Sequence, residues 1–196
     1  MLIDATNPFG GEYLLPAGFL REPPVHLRRA QAFVVTRSNE IPEITPIIRR
    51  LGQINAETPI FTGKHVFDTL HVIGRKTALD VMTLRGKRLL ALCGLGNPAS
   101  FHALLSTQEL NVAHQLDFPD HHWYTGQDVE LMRRISVQER IDALITTEKD
   151  EVKLLSFFEK LDIPCYIAAI RLEVQPQQEF EKFLLNMLKN KENRPD

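Results

Sequence analysis

From Arg88 onward the chain alternates short apolar runs with longer amphipathic segments, and this alternation restricts the possible folds more than any other feature. Arg88 to Cys93, Val112 to Asp117, Ala143 to Thr146 and Cys165 to Ile170 read as strands. Pro98 to Thr107, Gly126 to Ile135, Asp150 to Leu161 and Gln177 to Asn190 read as helices, and Lys189 to Asp196 reads as a fraying end. A helix between two strands is long enough to carry the chain back across the sheet, so successive strands run parallel with right-handed crossovers. The expected class is therefore α/β, a mostly parallel sheet flanked by helices.

The earlier part is less regular. Met1 to Ala5 and Ala32 to Thr36 read as strands, Pro59 to Thr62 as another, and Val25 to Ala30 as a short basic helix. Pro42 to Gln53 reads as a helix with Ile44, Ile47, Ile48 and Leu51 on one face. Asn7 to Pro24 is a Gly- and Pro-rich loop, long for a plain connection, and it carries Arg21 and Glu22. Between Lys64 and Leu84 two short apolar runs flank Gly74-Arg75-Lys76, which predicts a hairpin connecting two lobes.

In an open parallel sheet, ligands bind outside the carboxyl ends of the strands. Three polar loops of the later part fall at such ends. The first is Gly94-Leu95-Gly96-Asn97-Pro98, whose glycines admit close backbone approach. The second is Phe118 to Thr125, with Asp120, His121, His122 and Trp123 in succession. The third is Thr146-Thr147-Glu148-Lys149-Asp150, followed by Lys153. An imidazole beside a carboxylate suits proton abstraction at neutral pH, so Asp120 and His121 are the candidate catalytic pair. Asn97 and Lys149 are the candidate substrate- or phosphate-contacting side chains of the flanking loops. The competing reading is that Asn97, Thr147 and Asp150 only cap helices.

Other chemistries find less support. Adjacent histidines point apart and no HExxH spacing occurs, so no metal ligand is assigned to Asp120, His121 or His122. Cys93 and Cys165 are too few for a zinc framework or a disulfide scaffold and read as buried thiols. A net charge of -2 gives no basic field for nucleic acid. The 43% hydrophobic content is that of a soluble globular chain, and no run approaches a membrane span. A phosphate loop of the form GxxxxGK[ST] is also missing, since Gly63-Lys64, Gly74-Arg75-Lys76-Thr77 and Gly86-Lys87 each break it.

Taken in order, Leu2-Ile3-Asp4-Ala5, Pro8-Phe9-Gly10, Leu14 to Gly18, Leu20 to Pro23, Gly94 to Pro98, Asp120-His121-His122 with Tyr124-Thr125, and Thr146 to Asp150 with Val152-Lys153-Leu154 make a specific pattern. With these residues the chain resembles the later part of the tetraacyldisaccharide 4'-kinases, the lipid A 4'-kinases of Gram-negative bacteria. It departs from them at Phe19, Gly11-Glu12 and Gly96. The resemblance implies a remnant of a P-loop kinase lobe over residues 1–63, a two-stranded connector over 64–84 and a smaller α/β lobe over 85–196. It implies transfer of the ATP γ-phosphate to the 4'-hydroxyl of a tetraacylated disaccharide 1-phosphate, with magnesium, at the cytoplasmic face of the inner membrane. His121, after Asp120, matches the histidine that activates the sugar hydroxyl together with an acidic residue of the first lobe. Arg21, with Glu22 beside it, matches the substrate and phosphate region. The nucleotide-binding lysine, the magnesium ligands and a membrane helix are expected before Met1, so the chain alone is expected to lack turnover. The alternatives are a non-catalytic glycolipid- or nucleotide-binding module and a metal-dependent hydrolase built on Asp120, His121 and His122.

Overall fold

The computed structural model describes residues 1–192 of the chain. Seven strands form one sheet: β1 (Leu2–Asp4), β2 (Phe33–Thr36), β3 (Ile60–Val72), β4 (Leu89–Cys93), β5 (Val112–Asp117), β6 (Ala143–Thr147) and β7 (Cys165–Gln175). Between them lie helices α1 (Thr45–Ile54), α2 (Pro98–Ser106), α3 (Gly126–Gln138) and α4 (Glu148–Leu154), and α5 (Gln177–Glu192) follows the last strand. The strand order is β1-β2-β3-β7-β6-β4-β5. The chain divides into two compact units, one of residues 1–65 with 172 onward and one of residues 66–171. β3 and β7, neighbours in the sheet, contribute residues to both. The fold is the expected α/β class.

In the second unit β4 pairs in parallel with β5 and β6, and β6 pairs in parallel with β7. All five residues of β4 and of β6 are buried, as a parallel strand covered on both faces requires. Their side chains alternate between two cores. Leu89, Ala91, Cys93, Ala143, Ile145, Tyr166 and Ala168 meet Phe101 and Leu105 of α2. Leu90, Leu92, Leu144, Cys165 and Ile167 meet Met132 and Ile135 of α3 and Leu154 of α4. α2 and α3 therefore cover opposite faces, and the period-2 alternation of β4 sorts its residues between them.

In the first unit β1, β2 and the start of β3 are parallel neighbours. Ile47 and Leu51 of α1 bury against Ile3, Phe33 and Val35. On the other face, Phe180 and Phe183 of α5 pack beside Phe61, with the Phe61 and Phe180 rings edge-on at 5.0 Å. Residues 172–192, grouped by the sequence with the later lobe, belong to this unit, with Val174, Phe180 and Phe183 against its sheet.

The expected hairpin over 64–84 is much reduced. Its first arm continues the Pro59–Thr62 run into the single strand β3, and its second is reduced to one antiparallel bridge between Leu70 and Leu79. A 3-10 turn at Val81–Leu84 follows, with the Met82 N–H donating to the Asp80 carboxylate at 2.8 Å. Gly63 marks close packing within β3, where a Cβ would come 3.1 Å from Leu172 and 3.4 Å from Val34. The helix expected over 150–161 tightens after Leu154 into a 3-10 turn, Leu155–Lys160. α5 continues through the start of the segment expected to fray, and residues 193–196 lie outside the described residues.

Candidate active site

The three polar loops meet at the carboxyl ends of β4, β5 and β6, and a buried carboxylate fastens the first to the third. Asp150 is fully buried. It accepts the Gly94 N–H at 3.0 Å, the Thr147 hydroxyl at 2.9 Å and the Lys153 ammonium at 3.1 Å. A buried carboxylate is costly unless its lone pairs are filled and its charge is balanced, and these donors do both. Glycine is required at 94 by the crowding: a Cβ there would lie 3.2 Å from Asp150, 3.3 Å from the Pro119 carbonyl and 3.4 Å from His122. Gly96 brings the backbone against Asp120, whose carboxylate oxygen is 3.2 Å from where its Cβ would be.

Within the second loop the two histidines have opposite roles. His122 turns inward, its Nε2 3.0 Å from the Asp128 carboxylate and its ring stacked on Phe118 at 4.7 Å. Asp128 also accepts the Thr125 N–H and hydroxyl, both at 2.8 Å, and with the reciprocal bond from its own N–H closes a capping box on α3. Burial alone raises the Asp128 pKa, yet Thr125 and His122 outweigh it and hold this carboxyl below its ordinary value. His121 turns outward. Its backbone takes a left-handed φ of 60°, uncommon for a residue with a side chain, and its imidazole is 90% exposed. The Asp120 carboxylate sits 3.6 Å from His121 Nε2, an ion-pair distance beyond hydrogen-bond reach, and its other oxygen accepts the His121 N–H at 3.1 Å. In this geometry Asp120 acts on the imidazole through its charge and does not fix its tautomer. Tyr124, buried beneath the loop, has its hydroxyl pKa pushed up by burial and by the Asp150 charge.

The remaining candidates are placed as follows. The Asn97 side chain accepts the Ser100 N–H at 3.3 Å, so it is the N-cap of α2. Lys149 is exposed in the first turn of α4. Arg21 and Glu22 belong to the first unit, where Arg21 is exposed and Glu22 accepts from Arg29 at 2.7 Å and His26 at 3.1 Å. Arg29 and then His26 hold the Glu22 carboxyl below its ordinary value.

The sequence reading missed two features. Asp150 was weighed only as a cap, although the Thr147-x-x-Asp150-x-x-Lys153 spacing places donors on both sides of one carboxylate. Cys93, read as an apolar buried thiol, stands beside Asp117 in the register of β4 and β5, with His102 of α2 against the same carboxylate.

The doubly covered parallel sheet with polar loops at its carboxyl edge defines an α/β protein of the class that takes its ligand at that edge. A family model described as LpxK, tetraacyldisaccharide-1-P 4'-kinase, matches residues 1–189, and the chain belongs to this family. A tetraacyldisaccharide 4'-kinase of Syntrophus aciditrophicus is 34% identical over 198 residues, covering 97% of this chain and 53% of that protein. Another from Halothermothrix orenii is 36% identical over 180 residues, covering 85% and 45%. A crystal structure of LpxK from Aquifex aeolicus in complex with ATP shares the fold with a TM-score of 0.64 at 22% identity, covering 94% of this chain and 50% of that one. The chain thus spans about half the length of the relatives it matches.

Proposed function

We propose that this chain forms the part of a tetraacyldisaccharide 4'-kinase that presents the sugar hydroxyl for phosphorylation. The observation that carries the reading is the outward-facing His121 with Asp120 beside it, at the edge where Asp150 fastens the first and third loops. Family membership supplies the substrate class: the 4'-hydroxyl of a tetraacylated disaccharide 1-phosphate, with ATP as the phosphoryl donor. His121 Nε2 accepts the hydroxyl proton as the oxygen attacks, and the Asp120 charge stabilises the imidazolium that forms. Lys149 and Arg21, both exposed cations, are assigned to phosphate groups of the reactants. Glu22, tied to Arg29 and His26, orders the segment around Arg21.

Magnesium does not fit the residues at this loop edge. Asp150 is committed to Gly94, Thr147 and Lys153, and the two solvent-facing carboxylates of the loops, Asp120 and Glu148, belong to no cluster of three ligating groups among the described residues. No step is assigned to the ion. Among the described residues no helix is long and apolar enough to cross a membrane. A lipid substrate of this kind supports peripheral association of the complete enzyme with the cytoplasmic face of the inner membrane of a Gram-negative cell.

The test is a chimera in which this chain replaces the corresponding half of the Syntrophus aciditrophicus relative. The chimera is expected to phosphorylate the lipid disaccharide at the 4' position. His121→Ala is expected to lower kcat by about 10²- to 10⁴-fold while ATP affinity is unchanged. Equal losses in kcat and ATP affinity would make His121 a structural residue.

A further inference from the structure

We infer that Cys93, His102 and Asp117 form a binding site for a single zinc ion, with one coordination position open to solvent. The three donors come from the end of β4, the second turn of α2 and the end of β5, and their ligand atoms all lie within 4.8 Å of one another. His102 Nε2 is 2.7 Å and Cys93 Sγ is 3.7 Å from the same Asp117 oxygen. Tetrahedral zinc with bonds of about 2.0–2.3 Å places its ligand atoms about 3.3–3.7 Å apart, so small side-chain movements convert this hydrogen-bonded triad into a coordination shell.

The burial pattern suits that conversion. Cys93 and His102 are buried and anchored by the core beneath α2, whereas the Asp117 side chain is 45% exposed and is the ligand able to move. His102 Nδ1 is buried with no hydrogen-bond partner among the described residues, so the ring is oriented by Asp117 at Nε2 and by packing beside Phe101. A thiolate, an imidazole and a carboxylate select zinc over the hard cations magnesium and calcium, which take oxygen ligands. Three protein ligands leave a fourth position for water, and the exposed Asp117 face is where it opens. Binding exchanges the Cys93 thiol proton for the metal and releases that proton to solvent. Cys93 adjoins Gly94, and Asp117 adjoins the loop that carries Asp120, so an ion here ties together the ends of two of the three site loops. The inference stands apart from the assignment of His121.

Cobalt(II) titration of the purified chain tests it, because a thiolate ligand adds a charge-transfer absorption to the visible bands of a tetrahedral ion. One equivalent of cobalt is expected to produce both, and one equivalent of zinc to abolish them. Cys93→Ser is expected to remove the charge-transfer band, and Asp117→Asn, a half-exposed and conservative change, to weaken binding at least about tenfold. A His121→Ala/His122→Ala double variant is expected to bind as the unaltered chain does. Absence of the charge-transfer band in the unaltered chain, its persistence in Cys93→Ser, or undiminished affinity in Asp117→Asn would overturn the proposal.

Discussion

Asp150 shows how much one side chain organises. Three donors from two loops and one helix converge on a carboxylate with no access to water, and one of them is an ammonium that is itself largely buried. Asp150→Ala therefore leaves the Lys153 charge and the Gly94 and Thr147 donors without their acceptor. A loss of about 3–5 kcal/mol in unfolding free energy is expected, read from urea denaturation, and an unchanged midpoint would refute the fastening role. Cys93 and Cys165 are a contrasting pair. Burial pushes both thiols up to about 12, with the Asp117 and Asp150 charges adding to the effect at Cys93 and Glu151 at Cys165. Both are therefore protonated and poor nucleophiles at neutral pH.

Among the elements, α3 has the most legible entry. Thr125 and Asp128 satisfy each other's backbone donors, and His122 joins the same carboxylate, so helix entry and loop conformation are coupled. Thr125→Ala is expected to cost about 1 kcal/mol. Because the folded-state pKa of Asp128 is depressed, its stabilisation is fully present above the unfolded value of about 3.9 and is lost as pH falls through the lower folded value. Denaturation midpoints at pH 6 and pH 3 should therefore differ less in Asp128→Asn than in the unaltered chain. An equal difference in both would remove Asp128 from the acid response. α5 is held differently, through aromatic contact: Phe61 lies between Phe180 and Phe183, with ring centroids at 5.0 and 6.0 Å.

For the molecule as a whole, the decisive sequence fact is the missing GxxxxGK[ST] loop. Phosphoryl transfer depends on positioning and charge stabilisation of the phosphates, which in P-loop kinases that loop supplies. The chain alone is expected to give no 4'-phosphorylation in a radiolabelled ATP assay with the lipid disaccharide. Clear product formation would show that another part of the chain holds the nucleotide.

The class of fold was readable from residue order because burial on both faces forces continuous apolar strands and a crossover forces intervening helices, as β4 and β6 with α2 and α3 show. The position of the three loops followed from the same rule. Asn97 was offered as a ligand contact with capping as the competing reading, and its bond from the Ser100 N–H makes it the cap of α2. What the order of residues left open was every feature made by partners distant in the chain. The strand read over Pro59 to Thr62 and the apolar run after Lys64 proved to be one strand, β3, with Leu172 packed against Gly63 in its course. Of two adjacent histidines the residue order favoured His121, beside Asp120, but only the backbone turn at His121 and the carboxylate of Asp128 gave one to solvent and the other to the loop's interior. Cys93, His102 and Asp117 became a cluster only when β4 and β5 aligned in register beneath α2. Periodicity and capping are local and therefore legible, whereas a polar cluster depends on which side chains the packed sheet brings within a few ångströms.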